Sequence, residues 1–353
     1  MRQKRKLEHL RCALEETPGA ASSGLEDVFL VHQAVAGLGV GDIDAGYSFG
    51  GKKMSAPLVI NAITGGDPEL TEINRQLARA ARKAGIAMAV GSQAAALEAP
   101  SLSETFTVVR RENPDGVIMA NVGCLTPPDL AAQAVEMIGA DALQVHLNIP
   151  QELAMREGER DFTGILEGIC RIVRSTKVPV IAKEVGFGIS RETAAQLHGV
   201  GVEWIDIGGH GGTNFVAIER MRGAEEFGPE MEEWGITTAV SLVETLSLEL
   251  PIRCIATGGI RNPLEAAKCV ALGADLVGVA GHFLRVLVKG SEAQLDNELE
   301  RFVREFRSVM LMTDSRDLER FKMCSLVITG KTREWLEQRG VNLGRYARRN
   351  KKE

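Results

Sequence analysis

The chain has 353 residues, 44% of them hydrophobic and 25% charged, enough to bury the core of one large enzyme domain. A formal net charge of -6 argues against general nucleic-acid binding, although both ends are locally basic. No apolar run reaches the roughly 20 residues that a membrane span needs, and Met1-Arg-Gln-Lys-Arg-Lys6 leads into charge rather than a signal-peptide apolar stretch.

Residues 1–57 read as an N-terminal extension: a charged helix-like opening, a Gly/Ala/Ser-rich break at 19–24, and an approach to the first strand. On a helix, Arg5 and His9 share a face at i,i+4 with Lys6 beside them. Such a basic cluster either closes over a phosphorylated substrate or is a solvated terminus. Residues 58–290 then repeat one pattern, a short apolar strand ending in polar or glycine-rich residues, with starts near 58, 87, 117, 142, 180, 204, 253 and 276. A step of about 30 residues suits one strand plus one helix, so the fold class read here is α/β, a (β/α)8 TIM barrel with N- and C-terminal extensions. Helical periodicity runs through 72–84, 130–138, 191–197, 239–247 and 263–272, with Pro263 suited to a first turn. Periodicity does not by itself distinguish a closed barrel from a doubly wound open sheet. The connections after Leu147 and Ile207 are long, and long excursions at this end of a barrel usually bind something. Residues 291–353 read as a helix from Gln294 to about Met312 followed by a tail.

The six cysteines, Cys12, Cys124, Cys170, Cys254, Cys269 and Cys324, lack metal-binding spacing, so reduced thiols in a cytoplasmic protein are expected. The chemistry gathers at the predicted strand ends. Lys183 closes the fifth strand, where a buried ammonium needs an anion. Gly258-Gly259 ends the seventh strand and Ala280-Gly281 the eighth, where many barrels hold a phosphate on backbone N–H groups and a short helix N-terminus. Thr213 offers a further phosphate donor. A flavin mononucleotide (FMN) across the barrel mouth would place Lys183 at its ring, with Thr64, Ser92 and Asn121 at the other ring edge. Schiff-base chemistry is the competing use of Lys183, and Glu184 is a possible ion-pair partner for it. In the fourth strand His146 and Asn148 alternate onto one side, and the following loop presents Gln151 and Glu152. One carboxylate near a diphosphate suffices to propose Mg2+, which keeps most of its waters; the alternative is a surface Gln-Glu pair opening a helix.

Taken together, Arg5-Lys6-x-x-His9, Asn61-Ala-Ile-Thr-Gly-Gly66, Val90-Gly-Ser-Gln93, His146-Leu-Asn-x-x-Gln-Glu152, Lys183-Glu-Val-Gly-Phe-Gly188, Gly211-Gly-Thr-Asn-Phe215, Trp234-Gly-Ile236, Gly258-Gly-Ile260 and Ala280-Gly-His-Phe283 closely resemble the type 2 isopentenyl diphosphate isomerases, along nearly the whole chain. The resemblance implies interconversion of isopentenyl and dimethylallyl diphosphate with reduced FMN, Mg2+ and a reductant such as NADPH, in isoprenoid biosynthesis, by a homo-oligomer (tetramer or octamer). By position it implies FMN contacts from Ala62, Ile63, Thr64, Ser92, Asn121, Lys183, Thr213, Gly258, Gly259, Ala280 and Gly281. Arg5, Lys6, His9, Asn148 and Gln151 would meet substrate, Glu152 would bind the metal, and Gln151, Lys183 and His146 would serve catalysis. Ala94 stands where many members carry an arginine after Ser-Gln, which leaves Arg5, Lys6 and Mg2+ to hold more of the diphosphate charge. An FMN-dependent 2-hydroxyacid oxidase would share the barrel and a His210-Gly-Gly212 element, but that family follows it with arginine where this chain has Thr213. A non-catalytic flavin- or phosphate-binding protein is supported only by Ala94.

Overall fold

The computed structural model describes residues 2–15 and 21–349, with side chains from Lys6 onward; the Arg5 side chain therefore lies outside the described residues. The eight expected strands are all present. They are β1 (Leu58–Ile60), β2 (Ala87–Ala89), β3 (Ile118–Gly123), β4 (Ala142–Leu147), β5 (Val180–Glu184), β6 (Trp204–Asp206), β7 (Arg253–Thr257) and β8 (Leu276–Val279). Each pairs in parallel with the next, and β8 returns to β1 through Val277↔Leu58, so the sheet is a closed barrel and not an open doubly wound one. Their apolar runs are explained by this burial on both faces, against the barrel interior and against the surrounding helices.

Helices fill the intervals as the apolar spacing predicts, among them Thr71–Ala84, Pro128–Ile138, Arg191–Gly199, Thr238–Leu246 and Pro263–Leu272. Pro263 sits in the first turn behind an Asn262 cap, whose side-chain oxygen accepts from the Glu265 N–H. Glu104–Glu112 and Ile165–Ser175 complete the ring after β2 and β4, and Glu292–Met312 follows β8, with its buried face at Leu295, Leu299, Phe302 and Phe306.

Both extensions hold more structure than their composition suggests. Tyr47–Phe49 and Lys52–Met54 form an antiparallel hairpin across Gly50-Gly51, both at positive φ, as a two-residue hairpin turn demands. Phe49 and Met54 plug the strand-start end of the barrel, the Phe49 ring lying 5.1 Å from Trp204. The stretch read as a tail contains strand Leu326–Ile328, which pairs antiparallel with Val28–Leu30, and helix Gly330–Gln338. Buried Glu244, on Thr238–Leu246, anchors that helix by accepting from Trp335 Nε1 and Arg339 Nε, each at 2.9 Å. All six cysteines are free thiols. No helix among the described residues is long and apolar enough to cross a membrane.

Phe49 is 2% exposed, so Phe49→Ala removes the ring that seals the barrel floor. Denaturant titration should show a loss of about 3–5 kcal/mol in unfolding free energy, with no change in ligand affinity at the opposite end; a loss of affinity without destabilisation would contradict this division of labour.

Candidate active site

The strand C-termini open into a cavity of about 1680 Å3, room for a mononucleotide together with a small second ligand. Every described residue that the sequence assigned to cofactor, substrate or metal lines it. The positions from β1 to β3 (Ala62, Ile63, Thr64, Ser92, Asn121) face those from β7 and β8 (Gly258, Gly259, Ala280, Gly281) across the mouth. Lys183 and Thr213 lie between them, and Lys6, His9, His146, Asn148, Gln151 and Glu152 form the remaining wall.

The anion that Lys183 requires is Asp206, at the end of β6. Lys183 Nζ lies 2.9 Å from Asp206 Oδ2, and both residues are buried. Glu184, weighed as an alternative partner, points the other way, since successive side chains alternate across a strand. Its carboxylate accepts the backbone N–H groups of Gly186, Phe187 and Gly188. Burial pushes its pKa up to about 7, although those N–H groups and Lys183 favour the ionised form.

A row of buried amides continues from this pair. Asn61 Nδ2 donates to Asp206 Oδ2 at 2.6 Å, Gln144 Nε2 to Asn61 Oδ1 at 2.8 Å, and Asn121 Nδ2 to Gln144 Oε1 at 2.9 Å; Asn121 Oδ1 lies 2.8 Å from His146 Nδ1. Burial, with the charges of Lys6 and Lys183, lowers the His146 pKa to about 3, the Val122 carbonyl acting in the opposite sense. His146 is therefore neutral at ordinary pH. Thr64 donates its hydroxyl hydrogen to Asn74 Oδ1 at 2.6 Å, so what it offers a ligand is lone pairs and not a donor.

The glycine loops of β7 and β8 have the form an anion requires. Gly258 and Gly259 hold φ of 122° and 69°, and a Cβ on either would strike a backbone oxygen at 2.1 or 2.3 Å, so side chains are sterically excluded there. Helix Gly281–Lys289 starts at the cavity with no side-chain cap, unlike the helices capped by Asn262 and Ser291. Its first-turn N–H groups are left for an anion.

The N-terminal segment is a helix, Arg2–Glu15, and it lies over the mouth, with Lys6, His9, Leu10 and Ala13 on the cavity wall. Its seat is Glu219 on helix Phe215–Met221, a residue that sequence reasoning missed. Glu219 is 1% exposed and accepts His9 Nε2–H at 2.8 Å, Gln151 Nε2 at 3.4 Å and Arg222 Nη1. Burial alone would raise its pKa, but His9 and Arg222 hold it below the ordinary carboxylate value. Burial shifts the His9 pKa down while Glu219 works in the opposite sense, and Arg222 gives the same carboxylate a charged partner. An acid directly after the apolar stretch Phe215-Val-Ala-Ile218 is the available signal for Glu219, because a buried carboxylate there must be paired. Asn148 Nδ2 donates to Gln151 Oε1 at 3.2 Å and Glu152 Oε1 at 2.9 Å, and the Glu159 N–H donates to Glu152 Oε2 at 2.9 Å. No group of three or more metal-ligating His, Cys, Asp or Glu side chains occurs among the described residues.

An isopentenyl-diphosphate delta-isomerase of Moorella thermoacetica is 51% identical over 96% of this chain and 97% of its own, and one of Bacillus licheniformis is 46% identical over 99% of each. The chain belongs to the isopentenyl-diphosphate delta-isomerase family. Residues 151–326 match the FMN-dependent dehydrogenase family, which places this isomerase-family enzyme on a flavoprotein barrel. Solved structures of mandelate oxidase share the fold, for example one with (S)-2-phenylpropionate, with TM-score 0.63 and 18% identity over 92% of this chain and 98% of that one. At that identity the likeness is one of architecture alone.

The depressed His146 pKa carries a signed consequence. The unfolded histidine takes up its proton below pH 6.5 while the folded one resists down to about 3, so stability falls as pH drops through that window. Unfolding titrations of the native chain and His146→Gln should show the native chain losing more stability than the variant across it; parallel curves would mean that His146 is not held neutral.

Proposed function

We propose that this enzyme interconverts isopentenyl and dimethylallyl diphosphate by an allylic 1,3-proton shift in isoprenoid biosynthesis, with reduced FMN as cofactor, Mg2+ on the diphosphate and NADPH as the source of electrons. The observation that carries this reading is the meeting, in one cavity, of an anion cradle, a buried ammonium and a Gln151/Glu152 wall beneath a basic helix. Assembly as a homo-oligomer in the cytoplasm belongs to the same reading.

The chain's own groups fit FMN. The glycine loops and the uncapped helix at Gly281 would hold its phosphate, with Thr213 alongside. Lys183 would stand at the ring edge that becomes electron-rich on reduction, with Ala62, Ile63, Thr64, Ser92 and Asn121 along the opposite edge. When bound, reduced flavin supplies an electron-rich face for a cationic transition state and a nitrogen that exchanges a proton, which explains a redox cofactor in a reaction with no net redox change.

The remaining work falls to side chains. Moving the double bond passes through a state with tertiary carbocation character, which water would quench. The Arg2–Glu15 helix shields the mouth, contributing Leu10 and Ala13 as apolar cover and Lys6 as a cation for the diphosphate. Arg5, one residue earlier, is proposed for the same diphosphate. His9 serves through Glu219, holding the helix down. Gln151, oriented by Asn148 and Glu219, positions the substrate or relays a proton, with His146 and Asn148 toward the diphosphate. Glu152 fits Mg2+ as a single protein ligand, because this ion keeps several waters and takes phosphate oxygens. Sequence and structure give a second class, a non-catalytic flavin- or phosphate-binding protein, no support beyond Ala94.

Purified protein incubated with isopentenyl diphosphate, FMN, NADPH and Mg2+ should form dimethylallyl diphosphate, and no product under these conditions would refute the reading. Glu152→Gln keeps shape and removes charge. Across a Mg2+ titration it should need more metal or lose most activity, whereas an unchanged metal curve would remove Glu152 from the site. Lys6→Ala should raise KM roughly ten- to a hundredfold, the effect of losing a hydrogen bond to a charged group, with FMN affinity unchanged.

A further inference from the structure

The hydrogen bonds from Asp206 to His146 run in one direction, and the direction follows from chemistry. A carboxylate only accepts, so Asn61 must present its NH2 to Asp206. Asn61 Oδ1 then faces Gln144, which the Ala62 backbone N–H confirms by donating to that same oxygen at 2.8 Å. Gln144 must therefore give its NH2 to Asn61 and turn Oε1 to Asn121. Asn121 in turn gives Nδ2 to Gln144 and leaves Oδ1 toward His146, where an oxygen 2.8 Å from a ring nitrogen requires a hydrogen on that nitrogen. Flipping any one amide sets oxygen against oxygen or NH2 against NH2. Asn61, Asn121 and Gln144 are all buried, so water cannot repair such a clash.

We propose that Asn61, Gln144 and Asn121 form a directed amide belt by which the Asp206 carboxylate fixes His146 in the tautomer protonated on Nδ1, so that Nε2 is a hydrogen-bond acceptor. Toward His146 the three amides are positioning residues, and Asn121 also lines the cavity. With a neutral ring, Nε2 faces the diphosphate as an acceptor and meets it through a donor lying between them. A water or a protonated phosphate oxygen is a donor of the right kind. This last consequence rests on the function proposed above; the tautomer does not.

The test uses the full-length, FMN-loaded protein labelled with 15N-histidine. Nitrogen NMR distinguishes protonated from bare imidazole nitrogens, and the His146 signal is identified by its loss in His146→Gln. The expected result is a proton on Nδ1 and none on Nε2; a proton on Nε2 in the native protein overturns the proposal, whatever the variants do. Gln144→Met cuts the belt and leaves the Lys183–Asp206 pair in place. It should give a mixture of tautomers and raise the KM for isopentenyl diphosphate roughly tenfold, with FMN still bound and a lowered melting transition, because Asn121 Nδ2 loses its buried acceptor. A folded, FMN-bound Gln144→Met that keeps the single Nδ1–H tautomer would show that the belt does not set it. A native Nδ1–H signal in a protein without isomerase activity would sustain the belt and refute the function instead.

Discussion

The ion pair of Lys183 and Asp206 at the centre of the barrel mouth is the constraint on which the rest of the site depends. Removing two charges from water is unfavourable unless each is paired and further hydrogen-bonded. Asp206 meets that condition, receiving Lys183 Nζ, Asn61 Nδ2 and, at 3.4 Å, the Gly208 N–H. Lys183 has three donor hydrogens and lines the cavity, so a ligand acceptor can complete its shell. The same carboxylate orders the amides that reach His146. One buried acid thus orients groups from β1, β3, β4 and β5.

A second buried acid, Glu219, plays the corresponding part for the cover. It joins helix Phe215–Met221 to the N-terminal helix through His9 and to the wall through Gln151, so cover and wall are held by one carboxylate. A salt bridge from Glu8 to Arg222 adds to the seat, and the His9 ring meets Phe215 edge-on at 6.0 Å. The cover is also tied to the helix that follows β8, where Arg285 Nη1 donates to the Ala13 carbonyl at 3.3 Å, so it is seated on both sides of the mouth. The C-terminal segment is fastened differently, by the Val28–Leu30 pairing and by Glu244, and its helix brings Lys331 and Trp335 to the cavity wall.

The barrel was legible in the sequence because its strands are buried on both faces and so read as unbroken apolar runs, each stopped by glycine or a polar side chain. Closure was not legible, since period alone does not say whether the last strand meets the first. The floor hairpin left a usable signal in Gly50-Gly51, but its strands are only three residues long and two lysines interrupt their apolar pattern. In the site, residues that serve alone at a strand end could be read directly, as with Lys183, the paired glycines and Gln151-Glu152. Partners could not. Asp206, Gln144 and Glu219 act across strands or helices far apart in the chain, and only the three-dimensional register brings Lys183 opposite Asp206. His9 shows the converse: its helical spacing with Arg5 was right, yet its ring is turned into Glu219 and holds the helix.

The proposed function depends most on Lys183 stabilising a reduced, electron-rich flavin at the barrel mouth. The most direct measurement is anaerobic redox titration of bound FMN in the native enzyme and in Lys183→Gln, which keeps a donor for Asp206 and removes the positive charge. The variant should retain FMN and fold, its flavin should become harder to reduce, and isomerase turnover should fall with it. A variant with native midpoint potential and native turnover would contradict it.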